Sequence, residues 1–257
     1  RLGASKTYTL PQAKEISPYR YVGVNFNSQG NPNLKPSDHY NLDLKWDFNP
    51  TPTELISLTA FYKLIKNPIS RIEVASAGGY LSYENIADKA TVAGVEIEIR
   101  KNLFVRPVSN AAHGMNKLSL GLNGSYIYTN AKMPLATVTT GSQLEGAAPW
   151  IVNFDLSHNF TKGERSFVNT LVLNYVSDKI YTIGTQGYQD VMEQGVLILD
   201  FVSQAKLNKH LSLNLKARNL LNPSYKLSRK ANENGEKVIL NDYKKGINIS
   251  LGVSCTF

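Results

Sequence analysis

Alternation of polar and apolar residues is the clearest feature of the chain. From Tyr40 to Phe48 every even position is apolar and every odd position is polar or charged. Because successive side chains of a β-strand point to opposite faces, this alternation predicts a strand with one apolar and one polar face. A turn sequence at 49–52 is followed by a second alternating run at 56–64, in which Leu55 and Phe61 place apolar side chains on the polar side. The two runs predict a β-hairpin.

The same alternation recurs along the whole chain and predicts an all-β, antiparallel protein of about ten strands. A weaker first run lies at 2–10, and the later runs lie at 95–100, 118–129, 150–160, 167–175, 197–207, 211–218 and 247–257.

The connections between these runs alternate in length. Short connections are expected near 49–53, 161–166 and 208–210, with a longer exception at 102–116. Long connections are expected at 11–39, 67–90, 131–149, 182–195 and 222–245. Short turns at one end and long loops at the other are typical of a transmembrane β-barrel of the outer membrane, whose long loops lie outside the cell.

Composition separates three classes of protein. No apolar run approaches the roughly 18 residues that a membrane-spanning helix needs, which argues against a bundle of transmembrane helices. The mean hydropathy of −0.25 is compatible with a barrel, because only half of the side chains of each strand face lipid. A soluble β-sandwich would also alternate, but its outer face is usually rich in Lys and Glu. Here the polar face is rich in Asn, Ser, Thr and Gly, and aromatic residues such as Trp46, Phe48 and Trp150 lie near strand ends, which favours the barrel.

Catalytic and metal-binding patterns are not found in the sequence. One cysteine, Cys255, cannot form an internal disulfide or a structural zinc site. The histidines His39, His113, His158 and His210 lack the spacing of metal ligands, and no nucleophile elbow or phosphate-binding loop is present. The sequence therefore predicts a protein that is not an enzyme and has no cofactor.

The net charge of +8 does not indicate nucleic-acid binding, because the cations are spread along the chain and often alternate with carboxylates. Positive loops would suit the anionic lipopolysaccharide of a bacterial outer leaflet. The chain begins at Arg1 without a signal peptide, so we expect it to be part of a longer exported protein.

Several motifs resemble those of TonB-dependent outer-membrane receptors. The segment 31–36, Asn-Pro-Asn-Leu-Lys-Pro, is similar to the family's NPxLKPE segment, with Ser37 where Glu is common. The segment 94–99 resembles its GxExE strand, and the segment 219–225 resembles its NLxNxxY motif. The terminal run at 247–257 resembles the C-terminal signal for barrel assembly. The resemblance covers about residues 11–257, and it is closest in character to receptors of Bacteroidetes.

The resemblance implies a barrel of about 22 strands that is filled by an N-terminal plug domain and energised by TonB. Residues 1–257 would then supply the C-terminal ten strands, and their partners would be the plug, the remaining strands, outer-membrane lipid and lipopolysaccharide, and the barrel assembly machinery. The cargo would be a scarce nutrient such as a siderophore, cobalamin or glycan. Two alternatives remain: a small self-contained outer-membrane barrel with an adhesive or structural role, and a soluble β-sandwich binding module.

Candidate functional residues fall into three sets. Loop residues that could contact a ligand are Tyr80, Tyr83, Tyr181, Tyr188, Arg229 and Lys230, for which ordinary loop packing is the alternative. Residues of the assembly signal are Ile247, Ile249, Leu251, Val253 and Phe257. The third set consists of charged residues that are expected to face the lumen, where they would contribute to the wall structure and contact the plug. They are Asp43, Lys45, Asp47, Glu96, Glu98, Arg100, Asp155, Lys216 and Arg218.

Overall fold

The computed structural model describes residues 1–24, 26–74, 79–108, 114–133, 143–185, 187–231 and 235–256. Strands dominate these residues, and the one helix among them is a single short turn. In chain order the elements are β1 (Leu2–Thr9), α1 (Ala13–Ile16), β2 (Arg20–Tyr21), β3 (Ser28–Gln29), β4 (Ser37–Phe48), β5 (Leu55–Lys66), β6 (Ile69–Val74), β7 (Tyr80–Asn85), β8 (Lys89–Pro107), β9 (Met115–Ala131), β10 (Trp150–Lys162), β11 (Arg165–Val176), β12 (Lys179–Thr182), β13 (Val191–Glu193), β14 (Val196–Lys206), β15 (Leu211–Arg218), β16 (Ser224–Lys230), β17 (Lys237–Lys244) and β18 (Asn248–Cys255).

Ten of these strands form one antiparallel sheet, which we call the wall. Its order is β1-β4-β5-β8-β9-β10-β11-β14-β15-β18, so each long strand pairs with the next long strand along the chain. This confirms the predicted number of strands and their antiparallel arrangement. β1 and β18 are the two edges and do not pair with each other within the described residues, so the wall is part of a barrel and is not closed. A small self-contained barrel would need that closing pair.

The apolar face of the wall is exposed. Leu42, Leu44 and Trp46 on β4 are 48%, 58% and 57% exposed, and Leu251 on β18 is 71% exposed. A soluble sandwich would bury such a face against a second sheet. In a membrane the same face contacts lipid, and each strand between the two edges is hydrogen-bonded to a neighbour on both sides. The exposure therefore argues against the sandwich.

The opposite face of the wall carries a ladder of polar side chains, as the alternation predicted. Asn123 on β9 lies at its centre: its Nδ2 donates to Glu96 Oε1 at 2.6 Å, and its Oδ1 accepts Asn153 Nδ2 at 3.3 Å. These bonds cross from β8 through β9 to β10. The ion pairs between Arg100 and Glu98 and between Lys45 and Asp47 instead run along a single strand. Cross-strand bonding on this face therefore comes mainly from amides.

Phe61 is the exception in the alternation of β5, and Gly94 explains it. The two residues are directly opposite each other on β5 and β8. A Cβ atom on Gly94 would lie 2.4 Å from the ring atom Cζ of Phe61 and 2.4 Å from the backbone oxygen of Tyr126. The missing side chain leaves room for the ring on the lumen side. The glycine of the GxExE-like segment is thus required by packing.

The predicted connection at 102–116 is wrong, because β8 continues to Pro107 and β9 begins at Met115. A β-bulge places Asn102 opposite Ser119 and Phe104 opposite Leu118, so the outward-facing positions of β8 change from odd to even numbers after the bulge. That change of phase hid the end of the strand. The last strand also differs slightly: it begins at Asn248, one residue after Ile247, and Phe257 lies outside the described residues.

The long connections contain two further sheets that the sequence did not predict. Their orders are β2-β3-β7-β6 and β12-β13-β16-β17. A parallel bridge between Ile72 and Ile183 joins them, with hydrogen bonds from Glu73 N to Ile183 O and from Ile183 N to Arg71 O, both 3.0 Å. The eight short strands therefore form one continuous layer at the long-loop end of the wall, which we call the loop module.

The main buried hydrophobic cluster is formed by residues of the loop module together with Ala90 and Ala131 at the adjoining ends of wall strands β8 and β9. Its largest members are Ile72, Ile86, Leu144, Ile180 and Ile183, all at most 9% exposed. Their burial gives the module a core of its own, in contrast to the exposed apolar face of the wall. Among the described residues, no helix is long and apolar enough to cross a membrane.

Candidate functional site

Arg71 on β6 connects three loops of the module. Its backbone N–H donates to Glu145 Oε2 at 2.6 Å, and its Nη2 donates to Glu145 Oε1 at 2.8 Å. The guanidinium also donates to the backbone oxygen of Tyr181 and lies 4.0 Å from the centre of the Tyr181 ring. A planar guanidinium suits such combined hydrogen bonding and stacking. One side chain therefore holds together the connections 67–88, 132–149 and 177–195.

Burial raises the pKa of two groups near this cluster. Burial raises the pKa of the Glu145 carboxyl, and the hydrogen bonds and charge of Arg71 only partly offset that effect. Burial likewise raises the pKa of the Tyr83 hydroxyl on β7, against a smaller opposing effect of the Arg71 charge. The pairing with Arg71 thus compensates part of the cost of placing a carboxylate inside the module.

A second ion pair joins the two sheets of the module. Arg229 Nη2 on β16 contacts Glu73 Oε2 on β6, and the two side chains are only 16% and 12% exposed. The guanidinium also lies 5.2 Å from the centre of the Tyr188 ring, and the Thr185 hydroxyl donates to the backbone oxygen of Glu73. Partly buried, stacked pairs of this kind restrict the relative movement of the segments they join.

A cavity of about 250 Å³ lies between the wall and the module. The wall contributes Thr9, His39 and Ile65, and the loops contribute Glu15 and Glu145. Thr9 Oγ1 and His39 Nε2 are 3.0 Å apart and hydrogen-bonded. Hydroxyl, imidazole and carboxylate groups around one space can accept and donate hydrogen bonds to a polar ligand. The cavity is therefore the candidate ligand-facing site within this chain.

The predicted ligand-contacting loop residues lie in different parts of the module. Tyr181, Tyr188 and Arg229 are brought into the two clusters above, where their partners are other residues of the chain. The Tyr80 ring lies 5.5 Å from the Arg20 guanidinium, and the Tyr83 backbone oxygen accepts Asn31 Nδ2 at 3.0 Å.

Lys230 is exposed at the end of β16. Whether any of these six residues contacts a ligand stays a prediction.

Three residues that organise the module were missed by the sequence analysis: Arg71, Glu73 and Glu145. Arg71 and Glu145 are 74 positions apart, and Glu73 and Arg229 are 156 positions apart. No local pattern marks such pairs, because each is defined by a loop contact that exists only in the folded chain. The only available signal was the presence of charged residues in segments otherwise rich in Tyr, Ile and Ser.

The NPxLKP-like segment, residues 31–36, connects the loop between β1 and β4 to β7 by hydrogen bonds. Asn31 Nδ2 donates to Tyr83 O, and Asn31 Oδ1 accepts the Asn33 N–H at 3.0 Å. Lys35 N donates to Asn85 Oδ1 at 2.8 Å, and Asn85 Nδ2 donates back to Lys35 O at 3.0 Å. The segment therefore places β4 at the correct position beside the loop between β5 and β8.

The NLxNxxY-like segment has a similar structural role between β15 and β16. Asn219 adopts a φ of 57°, and its backbone N–H donates to Asp200 Oδ1 at 2.8 Å. Its Nδ2 donates to Gly246 O at 2.7 Å, and Gly246 N donates to Asn222 Oδ1 at 3.0 Å. Asn222 has a φ of 44°, and asparagine tolerates this left-handed conformation better than most residues, which explains its use at positions 219 and 222. The segment closes the base of the β16–β17 hairpin.

The terminal strand presents an apolar face at an edge of the wall. Ile249, Leu251 and Val253 are 70%, 71% and 60% exposed, and within the described residues β18 pairs only with β15. An unpaired edge with alternating apolar residues is suited to pairing with another strand. The geometry is compatible with the predicted assembly signal, whose last residue, Phe257, lies outside the described residues.

Metal binding has no candidate site in the part of the chain that the structure describes. No group of three or more His, Cys, Asp or Glu side chains there could hold a metal ion. His39, His158 and His210 are far apart in the fold, and each hydrogen-bonds to a different partner: Thr9, Asn116 and the backbone oxygen of Thr256. His113 lies outside the described residues.

Comparison with known proteins agrees with this geometry. Residues 1–220 match the family model described as "TonB dependent receptor-like, beta-barrel". Two relatives from Vibrio cholerae serotype O1, both named iron-regulated outer membrane virulence protein, are 25% and 24% identical over 208 residues. Those alignments cover 77% of this chain and 29% of each relative.

Solved structures show the same fold. The copper transporter OprC has a TM-score of 0.63 at 14% identity, with 100% of this chain and 38% of that chain covered. A mutant of the ferric enterobactin receptor PfeA from Pseudomonas aeruginosa, in complex with enterobactin, has a TM-score of 0.58 at 17% identity and the same coverage.

The chain therefore spans about a third of the length of the proteins it resembles. Because the family model matches most of the chain, the prediction of a protein that is not an enzyme is confirmed, as is its location in the outer membrane of a Gram-negative bacterium. The chain belongs to the family of TonB-dependent receptor β-barrels.

Proposed function

We propose that the chain forms part of the barrel wall and the outer loops of a TonB-dependent receptor that imports a scarce nutrient across the outer membrane. The observation that carries the proposal is the two-faced wall with the loop module across one end. The apolar face suits lipid, the polar face suits a hydrated lumen, and the cavity between wall and module is placed where an entering ligand would pass. Residues 1–257 would be the C-terminal portion of a barrel of about 22 strands.

We propose a metal chelate such as a ferric siderophore as the first nutrient to test, ahead of cobalamin or a glycan. The support is the names of the relatives: two are iron-regulated, one is a ferric enterobactin receptor and one is a copper transporter. The six loop residues predicted above are the first positions to test for ligand contact. A Bacteroidetes origin stays a prediction.

The partners follow from the same proposal. A plug domain would pack against the polar face of the wall, where Glu96, Asn123 and Asn153 form the amide ladder, and TonB would act through the plug. The remaining strands would pair with the free edges of β1 and β18. The barrel assembly machinery would recognise the run from Ile247 to Phe257, and lipopolysaccharide would surround the outer rim.

Nutrient uptake tests the proposal directly. The gene that encodes the chain, taken in full, is deleted in its host, and uptake of radiolabelled iron is measured with a panel of siderophores under iron limitation. We expect uptake of one chelate to fall to background and to return when the full gene is supplied. Removal of TonB should give the same loss. Uptake of every tested iron chelate, cobalamin and glycan at the normal rate in the deletion strain would refute the proposal.

A further inference from the structure

A second cavity lies where the end of the β16–β17 hairpin meets β13. Its volume is about 190 Å³, and it shares no lining residue with the cavity between wall and module. The residues that line it include Met192 and Ser228 and the three cations Arg229, Lys230 and Lys237. Three cationic side chains therefore line one small cavity.

Lys230 and Lys237 are directly opposite each other in the hairpin. Like charges at directly opposed positions destabilise a pair of antiparallel strands. Neither lysine forms an ion pair with any other residue that the structure describes, although other charged residues of the module, such as Glu73 and Arg229, are paired. Within the described residues, the repulsion between the two lysines therefore lowers the stability of the hairpin and is not offset by an ion pair.

The other charged residues that line the cavity are Arg229 and Asp190. Arg229 contacts Glu73 through Nη2, and its Nε is buried without a hydrogen-bond partner in the described residues. The carboxylate of Asp190, which also lines the cavity, accepts the Gly184 N–H at 2.8 Å. A backbone N–H does not neutralise this carboxylate, so with Arg229 paired to Glu73 the two lysines leave an excess of one positive charge at the cavity.

A hydroxyl donor lies beside these charges. Ser228 Oγ accepts Gln194 Nε2 at 3.2 Å, so its own hydrogen is available for a further bond.

We propose that this cavity binds a phosphate group. A phosphate carries nearly two negative charges near neutral pH and several acceptor oxygens, so one group can accept hydrogen bonds from both lysine ammonium groups and from the Ser228 hydroxyl. An anion between the lysines turns their repulsion into attraction to a shared partner. The phosphate belongs either to a lipid headgroup of the outer leaflet or to a soluble phosphorylated compound. Phosphate binding at this site does not depend on which nutrient the receptor imports.

Binding of inorganic phosphate tests the site. The complete gene product is purified in detergent and phosphate-free buffer, and its affinity for inorganic phosphate is measured by calorimetric titration. The double variant Lys230→Gln, Lys237→Gln is compared with Lys244→Gln, Lys245→Gln, which removes two charges from the same hairpin outside the cavity. We expect phosphate to bind more weakly to the first variant, by a factor of at least about ten, and normally to the second, because two charge-assisted hydrogen bonds are lost.

Stability and lipid binding complete the test. Without phosphate the first variant should unfold at the wild-type temperature or above, because a repulsion has been removed. Binding is also compared between micelles of intact lipopolysaccharide and micelles of enzymatically dephosphorylated lipopolysaccharide. Tighter binding of the intact form identifies a lipid phosphate as the ligand. Equal binding of the two forms, with the affinity for inorganic phosphate retained, identifies a soluble phosphorylated compound. Undetectable phosphate binding to the wild type, or equal affinity in wild type and first variant, overturns the proposal.

Discussion

At the scale of single residues, Gly94 shows how the lumen face limits substitution. A Cβ at this position would meet the backbone oxygen of Tyr126 at 2.4 Å, and that oxygen is fixed in the ladder between β8 and β9. We expect Gly94→Ala to destabilise the folded protein by about 1–3 kcal/mol, as overpacking usually does. Thermal unfolding in detergent measures the effect.

Gly124 provides the matched control for that substitution. It lies on β9, and the nearest atom to a Cβ there is Ile97 Cγ2 at 3.7 Å, an ordinary contact distance. Gly124→Ala should therefore leave the unfolding temperature close to that of the wild type. Equal destabilisation by both substitutions would show that glycine content, and not the local contact, matters.

Arg71 and Glu145 give a second prediction at this scale, and it depends on pH. Arg71→Met removes the charged partner of a buried carboxylate, and we expect the loop module to lose about 1.5–3 kcal/mol of stability at neutral pH. Arg20→Met, which removes an exposed guanidinium stacked on Tyr80, is the control and should have little effect. The rate of limited proteolysis within the loops measures the loss.

The sign of the pH effect follows from the raised pKa of Glu145. The folded module binds this proton more readily than the unfolded chain does, so the cost of the buried carboxylate is fully present above the folded-state pKa. It disappears as the pH falls towards the ordinary value of a glutamate. The Arg71→Met variant, in which this pKa should rise further, should therefore recover stability on mild acidification. A defect that grows as the pH is lowered would contradict this account.

At the scale of elements, β18 allows the two faces of the wall to be compared directly. Leu251 is on the apolar face, and Ser254 is on the opposite face, across from Ser212 on β15. We expect Leu251→Lys to cost up to about 2–4 kcal/mol, the range for a lysine on the lipid face near the middle of the bilayer. Ser254→Lys should cost much less, because its side chain reaches the lumen. The heat-modifiable fraction on electrophoresis reports both, and equal loss in the two variants would contradict the assignment of faces.

The sequence predicted the elements of the wall well and those of the loop module hardly at all. Each wall strand has a lipid face and a lumen face along its length, so its own residues alternate, as on β4. The error arose at the bulge of β8, where the outward-facing positions change; Phe61 on the polar side of β5 was expected, and only the structure shows that Gly94 makes room for it. The module strands are short and mixed in polarity, and they form because distant loops contact each other.

The same difference separates the predicted functional residues from the observed clusters. The aromatic and cationic loop residues Tyr181, Tyr188 and Arg229 could be chosen from composition alone, since such side chains are common in binding surfaces. Their partners Glu73, Arg71 and Glu145 could not, because no spacing rule relates positions on separate loops. Sequence therefore indicated which side chains are distinctive, and only the fold shows that several of them hold the loops together.

At the scale of the whole molecule, the loop module should behave as one body. The bridge between Ile72 and Ile183 and the ion pair between Glu73 and Arg229 join the two sheets, although these segments lie far apart in the chain. We expect Glu73→Gln and Arg229→Gln each to increase amide hydrogen exchange in both β6 and β16, because either change releases both sides of the pair. Amides of the wall should exchange at the wild-type rate.

The double variant Glu73→Gln, Arg229→Gln distinguishes a shared constraint from two local effects. If one ion pair restrains both sheets, the second substitution adds little to the first, so the two changes in opening free energy are not additive. The comparison is made by exchange mass spectrometry of the complete protein in detergent micelles. Additive effects, each confined to the segment that carries the substitution, would mean that the loops open independently. A non-additive result would mean that the two sheets of the module open together as one unit.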